Sequence, residues 1–287
     1  MKTEIFNFNT LKVHLTSKTK TLYLQLVQSE PSKKNLINEE MINELESLFY
    51  WLSQHIEVHS VVITGQDECF SRGFDLEEFK NLPEKRFQEL LEKYQKIVYV
   101  MFFLPQTIIA NLQGGGLGPG LELAMGADIR LAYQENHFSF DHLKQALIPS
   151  GGGIGFSTEL IPNSFIRSWL LSPQSIDNEA LKGSGFIHTF LNKDKEEKVL
   201  SDILTNISNQ APVARIQTKR SLLEAILPGL DRTIIFEKKF ALAGLAMNDW
   251  KKKVNDSKKG STQGFVKARD LNLLLKKEPP VKKENLQ

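Results

Sequence analysis

The sequence predicts an α/β protein built on a parallel sheet, and three observations carry that expectation. Two short runs, SVVITG (Ser60–Gly65) and TIIANL (Thr107–Leu112), have the β-branched density of strands buried on both faces. Each is followed by a glycine-containing turn, and each is preceded by a long segment with apolar residues at helical spacing. Strand, helix and strand in that order make β–α–β crossovers, which bring both strand ends to one sheet edge, where ligands of α/β folds bind.

Taken in order, residues 11–15 (LKVHL) and 21–27 (TLYLQLV) alternate apolar and polar residues, as the strands of a half-buried hairpin do. A loop is expected at residues 29–35, SEPSKKN. Met41, Leu45, Leu48, Phe49 and Leu52 then mark an amphipathic helix over residues 38–54, with Asn38 as its N-cap. After the SVVITG strand comes CFSRGFDL, residues 69–76, where Gly73 marks a turn, Asp75 caps the next segment, and the N–H groups at 72 and 73 are placed to face a cleft. Phe87, Leu90, Leu91, Tyr94, Ile97, Val98 and Met101 predict a long helix that Pro105 ends before TIIANL.

Residues 113–130, QGGGLGPGLELAMGADIR, organise the rest. Glycines at 114, 115, 116, 118 and 120 let the backbone approach a ligand closely, and a helix begins near Gly120. The free N–H groups of its first turn suit an oxyanion or a phosphate. Glu122 sits in that turn, where a carboxylate has either a capping or a chemical role.

Composition narrows the function classes. A chain of 287 residues with 41% apolar content can bury a full core, as one large domain or a domain with an appendage. With 36 basic and 34 acidic residues, the net charge of +2 is too weak a field to argue for nucleic acid. A single cysteine, Cys69, excludes an internal disulfide framework, reads as a small buried side chain, and implies a reducing compartment. No Cys/His cluster has metal-ligand spacing, and His14, His55, His59, His137 and His188 read as surface or satisfied histidines. Neither a signal-peptide pattern nor a membrane-length apolar run occurs, so a cytoplasmic protein is expected.

The pair ITGQDECFSRGFDL and IIANLQGGGLGPGLELAMGADIRLA resembles the crotonase (enoyl-CoA hydratase/isomerase) superfamily in order, spacing and content. Asn35-Leu36 resembles the family's Asn-Ala-Leu turn, residues 138–153 (FSFDHLKQALIPSGGG) its Ile-Pro-Gly-x-Gly-Gly segment, and residues 175–186 (SIDNEALKGSGF) the helix leading to its Gly-Leu-Val. Residues 264–269, GFVKAR, are similar to its C-terminal Ala-Phe-x-Glu-Lys-Arg. The resemblance implies a spiral of β–β–α repeats forming two nearly perpendicular sheets over residues 1–205 and a helical trimerisation region over 206–270, commonly with two trimers stacked; independently, charge and proline without apolar periodicity lead to the expectation of a basic, solvated or disordered tail over 271–287. The resemblance further implies an acyl-CoA ligand, coenzyme A being part of the substrate and no separate cofactor being needed.

In that family two backbone N–H groups hold the thioester carbonyl and stabilise an enolate. They fall here on Arg72 and position 119, and Glu122 matches the first catalytic glutamate. The same resemblance assigns substrate contacts to Phe70, Gly73, Asp75 and Gly118, and CoA phosphate contacts to Lys267 and Arg269. Two positions depart from the pattern. Pro119 has no N–H, which leaves the neighbouring Gly120 to supply a donor. Asp141-His142 stands in place of the family's Pro-Glu, so His142 takes the place of the second carboxylate, while Asp141 is expected to point elsewhere. Three readings remain open: a crotonase-type enzyme, an inactive acyl-CoA binder, and a purely structural trimer.

Overall fold

The computed structural model describes residues 2–4, 6–28, 35–133, 136–172, 176 and 178–256. The chain opens with strands β1 (Lys2–Glu4), β2 (Leu11–Thr16) and β3 (Thr21–Leu26), then helix α1 (Glu39–Gln54) and strand β4 (Ser60–Gly65). Next come α2 (Leu76–Phe79), α3 (Glu84–Phe103), β5 (Thr107–Leu112), β6 (Gly116–Leu117), α4 (Pro119–Met125), β7 (Ile129–Tyr133) and β8 (Phe138–Ser139). A 3-10 turn, Asp141–Gln145, leads into α5 (Gly153–Leu160), α6 (Asn163–Leu171), α7 (Asn178–Gly183), β9 (Thr189–Leu191), α8 (Glu196–Ser208), α9 (Pro212–Leu245) and α10 (Asp249–Asp256).

The expected hairpin is present, with Leu11 opposite Leu26 and Thr16 opposite Thr21. From β3 onward the sheet is parallel, in the order β1-β2-β3-β4-β5-β7-β9. Its central strands are covered on both faces, as their unbroken apolar runs require. Val61 and Ile63 join the main core with α1, α3 and α4, while Val62, Ile109 and Leu131 pack on the other face against Leu204 and Ile207 of α8. Asn38 caps α1 as predicted, its Oδ1 accepting from the Met41 N–H at 2.9 Å.

A second, two-stranded parallel sheet pairs β6 with β8. Isolated parallel bridges, Ser71 with Gly116 and Ile37 with Phe74, bring the turn after β4 alongside it. The two glycine-containing turns therefore meet at one sheet edge.

Helix α9 packs along α3 and α5. Leu230, Ala241 and Leu245 are buried against the chain's own core, and Leu242 packs beside them, whereas Ile235, Phe236 and Phe240 lie exposed. Over residues 234–247 the exposed large apolar side chains are therefore these three. Residues 264–269, with Lys267 and Arg269, and the tail from 271 lie outside the described residues.

Candidate active site

The turn after β4 is fixed by its own polar side chains. Asn35 Nδ2 donates to the carbonyls of Gln66 (3.0 Å) and Cys69 (2.6 Å), and Ser71 Oγ donates to the Asn35 carbonyl (2.7 Å). The Gly73 N–H donates to Ser71 Oγ at 3.1 Å, so of the two N–H groups expected to face a cleft, this one is spent inside the turn. The Arg72 N–H meets no acceptor among the described residues. Gly73 has φ +86°, and a Cβ there would lie 2.8 Å from Pro119 Cδ, so the two turns touch at that point.

Across the contact, Gly118 precedes α4 and Pro119 is its first residue, the position where a missing N–H costs the helix nothing. The Pro119 carbonyl accepts from Tyr94 Oη at 2.5 Å. The N–H groups of Leu121 and Glu122 turn back to the Gly118 carbonyl, whereas that of Gly120 has no acceptor among the described residues. Two unspent donors therefore lie one on each turn, Arg72 and Gly120, where Gly120 packs on Ser71 and Pro119 on Gly73.

Glu122 is fully buried. Its carboxylate does not cap its own helix: Oε1 accepts from the N–H groups of Gly151 (2.9 Å) and Gly153 (3.0 Å) at the start of α5, and Oε2 lies 3.2 Å from His142 Nε2. His142 is 2% exposed, and its other ring nitrogen, Nδ1, is buried without a hydrogen-bond partner among the described residues. Burial, then the charge of Glu122, raises the Tyr94 hydroxyl well above its ordinary value.

A second carboxylate lies on the same glycine turn. Glu237 of α9 accepts from Gly152 (2.6 Å) through Oε1 and from Ile154 and Gly155 (both 2.9 Å) through Oε2. Burial, followed by the negative charge of Glu122, raises its pKa to about 8 against the pull of those N–H groups. The sequence expectations do not include Glu237, although a signal for it is there: it is an acid on the stripe Leu223, Leu230, Glu237, Ala241, Leu245 that α9 buries.

In front of this arrangement a cavity of about 260 Å³ is lined by Arg72, Phe74, Asp75, Pro119, Asp141 and His142, with Val254 of α10 at its side. Asp141 corrects an expectation, because it does not point away. The 3-10 turn brings it to the cavity beside His142, with Oδ1 only 2.6 Å from where a Cβ on Gly118 would stand, and burial raises its pKa. Asp75 lines the same cavity while its Oδ1 caps α2 through the Glu78 N–H. Phe70 is wholly buried in the core, Gly118 packs beneath Asp141, and neither they nor Gly120 and Glu122 line the cavity. Cys69 is buried as expected, His188 Nδ1 accepts from the Arg130 N–H, and His55 stacks on Trp51. Buried His59 has no hydrogen-bond partner for its Nδ1 among the described residues, where the sequence predicts a surface or satisfied histidine. No group of metal-ligating side chains occurs among the described residues.

A parallel sheet whose strand-end turns meet at one edge and carry unspent N–H groups near buried Glu122 and His142 defines an α/β protein with a candidate site at that edge. The sequence model of the enoyl-CoA hydratase/isomerase family matches residues 21–270, and the chain belongs to that family. It is 25% identical over 260 residues to the mitochondrial Delta(3,5)-Delta(2,4)-dienoyl-CoA isomerase of Mus musculus, covering 86% of this chain and 79% of that protein. With the short-chain-enoyl-CoA hydratase of Clostridium acetobutylicum it shares 23% identity over 210 residues, 73% of this chain and 80% of that one. The crystal structure of an enoyl-CoA hydratase from Mycobacterium avium subsp. paratuberculosis K-10 superposes with a TM-score of 0.80 at 20% identity, covering 91% of this chain and 100% of that one, which establishes the crotonase fold.

Proposed function

We propose that the chain binds an acyl-CoA thioester in the cavity between Arg72, Pro119 and His142 and moves a proton at the carbon next to the thioester carbonyl. The observation that carries this is the Glu122–His142 pair: a carboxylate locked by two backbone N–H groups against an imidazole that lines the cavity. Glu122 and His142 act as the acid–base pair, and the orphan Nδ1 of His142 is satisfied by a group that enters with the ligand. The N–H groups of Arg72 and Gly120 hold the developing enolate oxygen, Gly120 standing in for the donor that Pro119 lacks. Coenzyme A enters as part of the substrate, and no separate cofactor takes part.

Isomerisation, decarboxylation or thioester hydrolysis fits this set at least as well as hydration, which in the family uses two carboxylates on one water. Asp141 keeps a second carboxyl group at the cavity, with a pKa that burial raises, but the position of the family's second glutamate is held by His142. Crotonyl-CoA hydration is accordingly expected to stay well below the roughly 10 per second usual for enzymes. An inactive acyl-CoA binder is the second reading, favoured by Pro119 and His142, which replace an N–H donor and a carboxylate of the family pattern. The exposed Ile235, Phe236 and Phe240 suit a trimer or a dimer of trimers in the cytoplasm, for which light scattering at micromolar concentration should show no monomer.

The test is a panel of acyl-CoA thioesters, scored for thermal stabilisation and for exchange of the proton next to the carbonyl in D2O. Stabilisation with exchange that Glu122→Gln abolishes supports the enzyme, and stabilisation without exchange supports the binder. If no thioester raises the melting temperature, both readings fail.

A further inference from the structure

Two carboxylates from distant elements divide the N–H groups at the start of α5 in alternation. Glu122 of α4 takes Gly151 and Gly153, while Glu237 of α9 takes Gly152, Ile154 and Gly155. Glu122 is 0% exposed and Glu237 2%, so water screens neither from the other. A glycine turn that can adopt only one arrangement while holding both ties the place of one carboxylate to that of the other.

We propose that Glu237 is a positioning residue for the acid–base pair: its carboxyl group, presented by the C-terminal helix, sets the geometry of the glycine turn that holds Glu122 and the total charge at that turn. This rests on the reading of Glu122 and His142 as the proton-moving groups. When Glu237 ionises, a negative charge is added behind Glu122 on the same glycine turn, and repulsion between the two carboxylates loosens the grip of Glu122 on Gly151 and Gly153.

The surroundings leave Glu122 as the charge that acts on Glu237. From α5 it meets backbone N–H groups, and Glu159 of that helix lies toward Gly229, two turns away along α9. On α3, Tyr94 stands beside Gly151 and Gln95 donates to the Ile234 carbonyl. The Glu92–Lys238 ion pair and the hydrogen bond from the Tyr99 hydroxyl to Asp231 at the α3–α9 seam lie on its exposed side. His142 lies beyond Glu122.

The experiment is a carboxyl-carbon NMR titration of the ligand-free, full-length protein labelled at glutamate, together with the pH profile of thioester proton exchange. Glu237→Gln identifies the Glu237 signal by its loss. That signal should titrate well above the ordinary glutamate range, and Glu122→Gln, which can still accept through one amide oxygen, should bring its midpoint down by about one pH unit or more. The alkaline decline in exchange rate should flatten in Glu237→Gln. If Glu237→Gln does not fold, the signal is identified instead as the one glutamate that Glu122→Gln displaces, and the same shift is read. A Glu237 midpoint that Glu122→Gln leaves in place overturns the proposal, as does an unchanged alkaline decline in Glu237→Gln. The midpoint shift with no exchange in any variant supports the shared turn and counts against the proposed reaction alone.

Discussion

Two glycine triads, residues 114–116 and 151–153, each lead into a helix, and they do opposite things with the same residue type. At the first, glycine serves backbone packing: a Cβ on Gly114 would lie 1.5 Å from the Glu68 carbonyl oxygen and one on Gly115 2.1 Å from that of His137. The helix beyond it keeps an unspent N–H at Gly120. At the second, glycine serves side chains, for a Cβ on Gly151 would meet the Tyr94 ring and one on Gly153 would meet Glu122 Oε1 at 2.6 Å. There the donors are saturated by two carboxylates. A glycine-rich helix start is thus no function by itself; its ligand depends on whether the fold delivers an acceptor to it.

The sharpest way to break the comparison is to fill each triad. Gly114→Ala forces a Cβ into backbone at a positive φ and should cost about 4 kcal/mol or more, seen as loss of soluble protein or of the urea transition. Gly153→Ala should leave the protein folded while displacing Glu122, so its loss appears in proton exchange first. Equal losses of stability at both positions would erase the distinction between the triads.

Next in size is the acceptor at the second triad. Glu237→Ala strands the N–H groups of Gly152, Ile154 and Gly155 in the interior and should destabilise by about 3 kcal/mol in urea. The wild type should also show a pH signature. Because the folded-state pKa of Glu237 lies above its unfolded value, its favourable contribution is whole below the ordinary glutamate range and is lost as pH rises through about 8. Stability should therefore fall with rising pH over that window, and Glu237→Gln should flatten the slope; a rise with pH would contradict the sign.

At the first triad the complementary change adds a donor. Pro119→Gly should speed proton exchange by about 30-fold, an oxyanion donor of roughly 3 kcal/mol less about 1 kcal/mol for the looser glycine. No change, with thioester binding intact, would mean that Gly120 already supplies the hydrogen bond. Smallest of all is Asn38→Ala at α1, where a single side-chain oxygen caps the helix: about 1 kcal/mol by thermal unfolding. If it matched Glu237→Ala, paired capping at α5 would be ordinary capping.

The sequence carries local patterns further than it carries distant ones. The hairpin, α1 with its Asn38 cap, the two crossovers and the meeting of two glycine turns all arise from period, propensity and punctuation within a few dozen residues. Glu122 and His142 are legible through spacing that resembles a family. Their joint geometry is not, since Glu122 reads as a first-turn acid until α5, 29 residues on, brings its N–H groups to it. Asp141 departs from expectation because one residue of offset reverses direction on a strand, whereas on this 3-10 turn it is a rotation of about 120°, which leaves both Asp141 and His142 at the cavity. Glu237 contributes from 85 residues beyond Gly152, a separation across which no periodicity speaks.

That separation also orders events in time. A ribosome extends the chain from its N-terminus, so β4, β5, α4 and the start of α5 can pack while α9 is still unmade. Until residue 237 emerges and α9 docks, the N–H groups of Gly152, Ile154 and Gly155 have no carboxylate to receive them, and Glu122 sits on a turn free to shift. The Glu122–His142 contact is consequently among the last parts of the molecule to set, and a nascent chain halted before α9 would own every residue of the cavity wall up to Leu147 without the carboxylate that completes the turn holding Glu122.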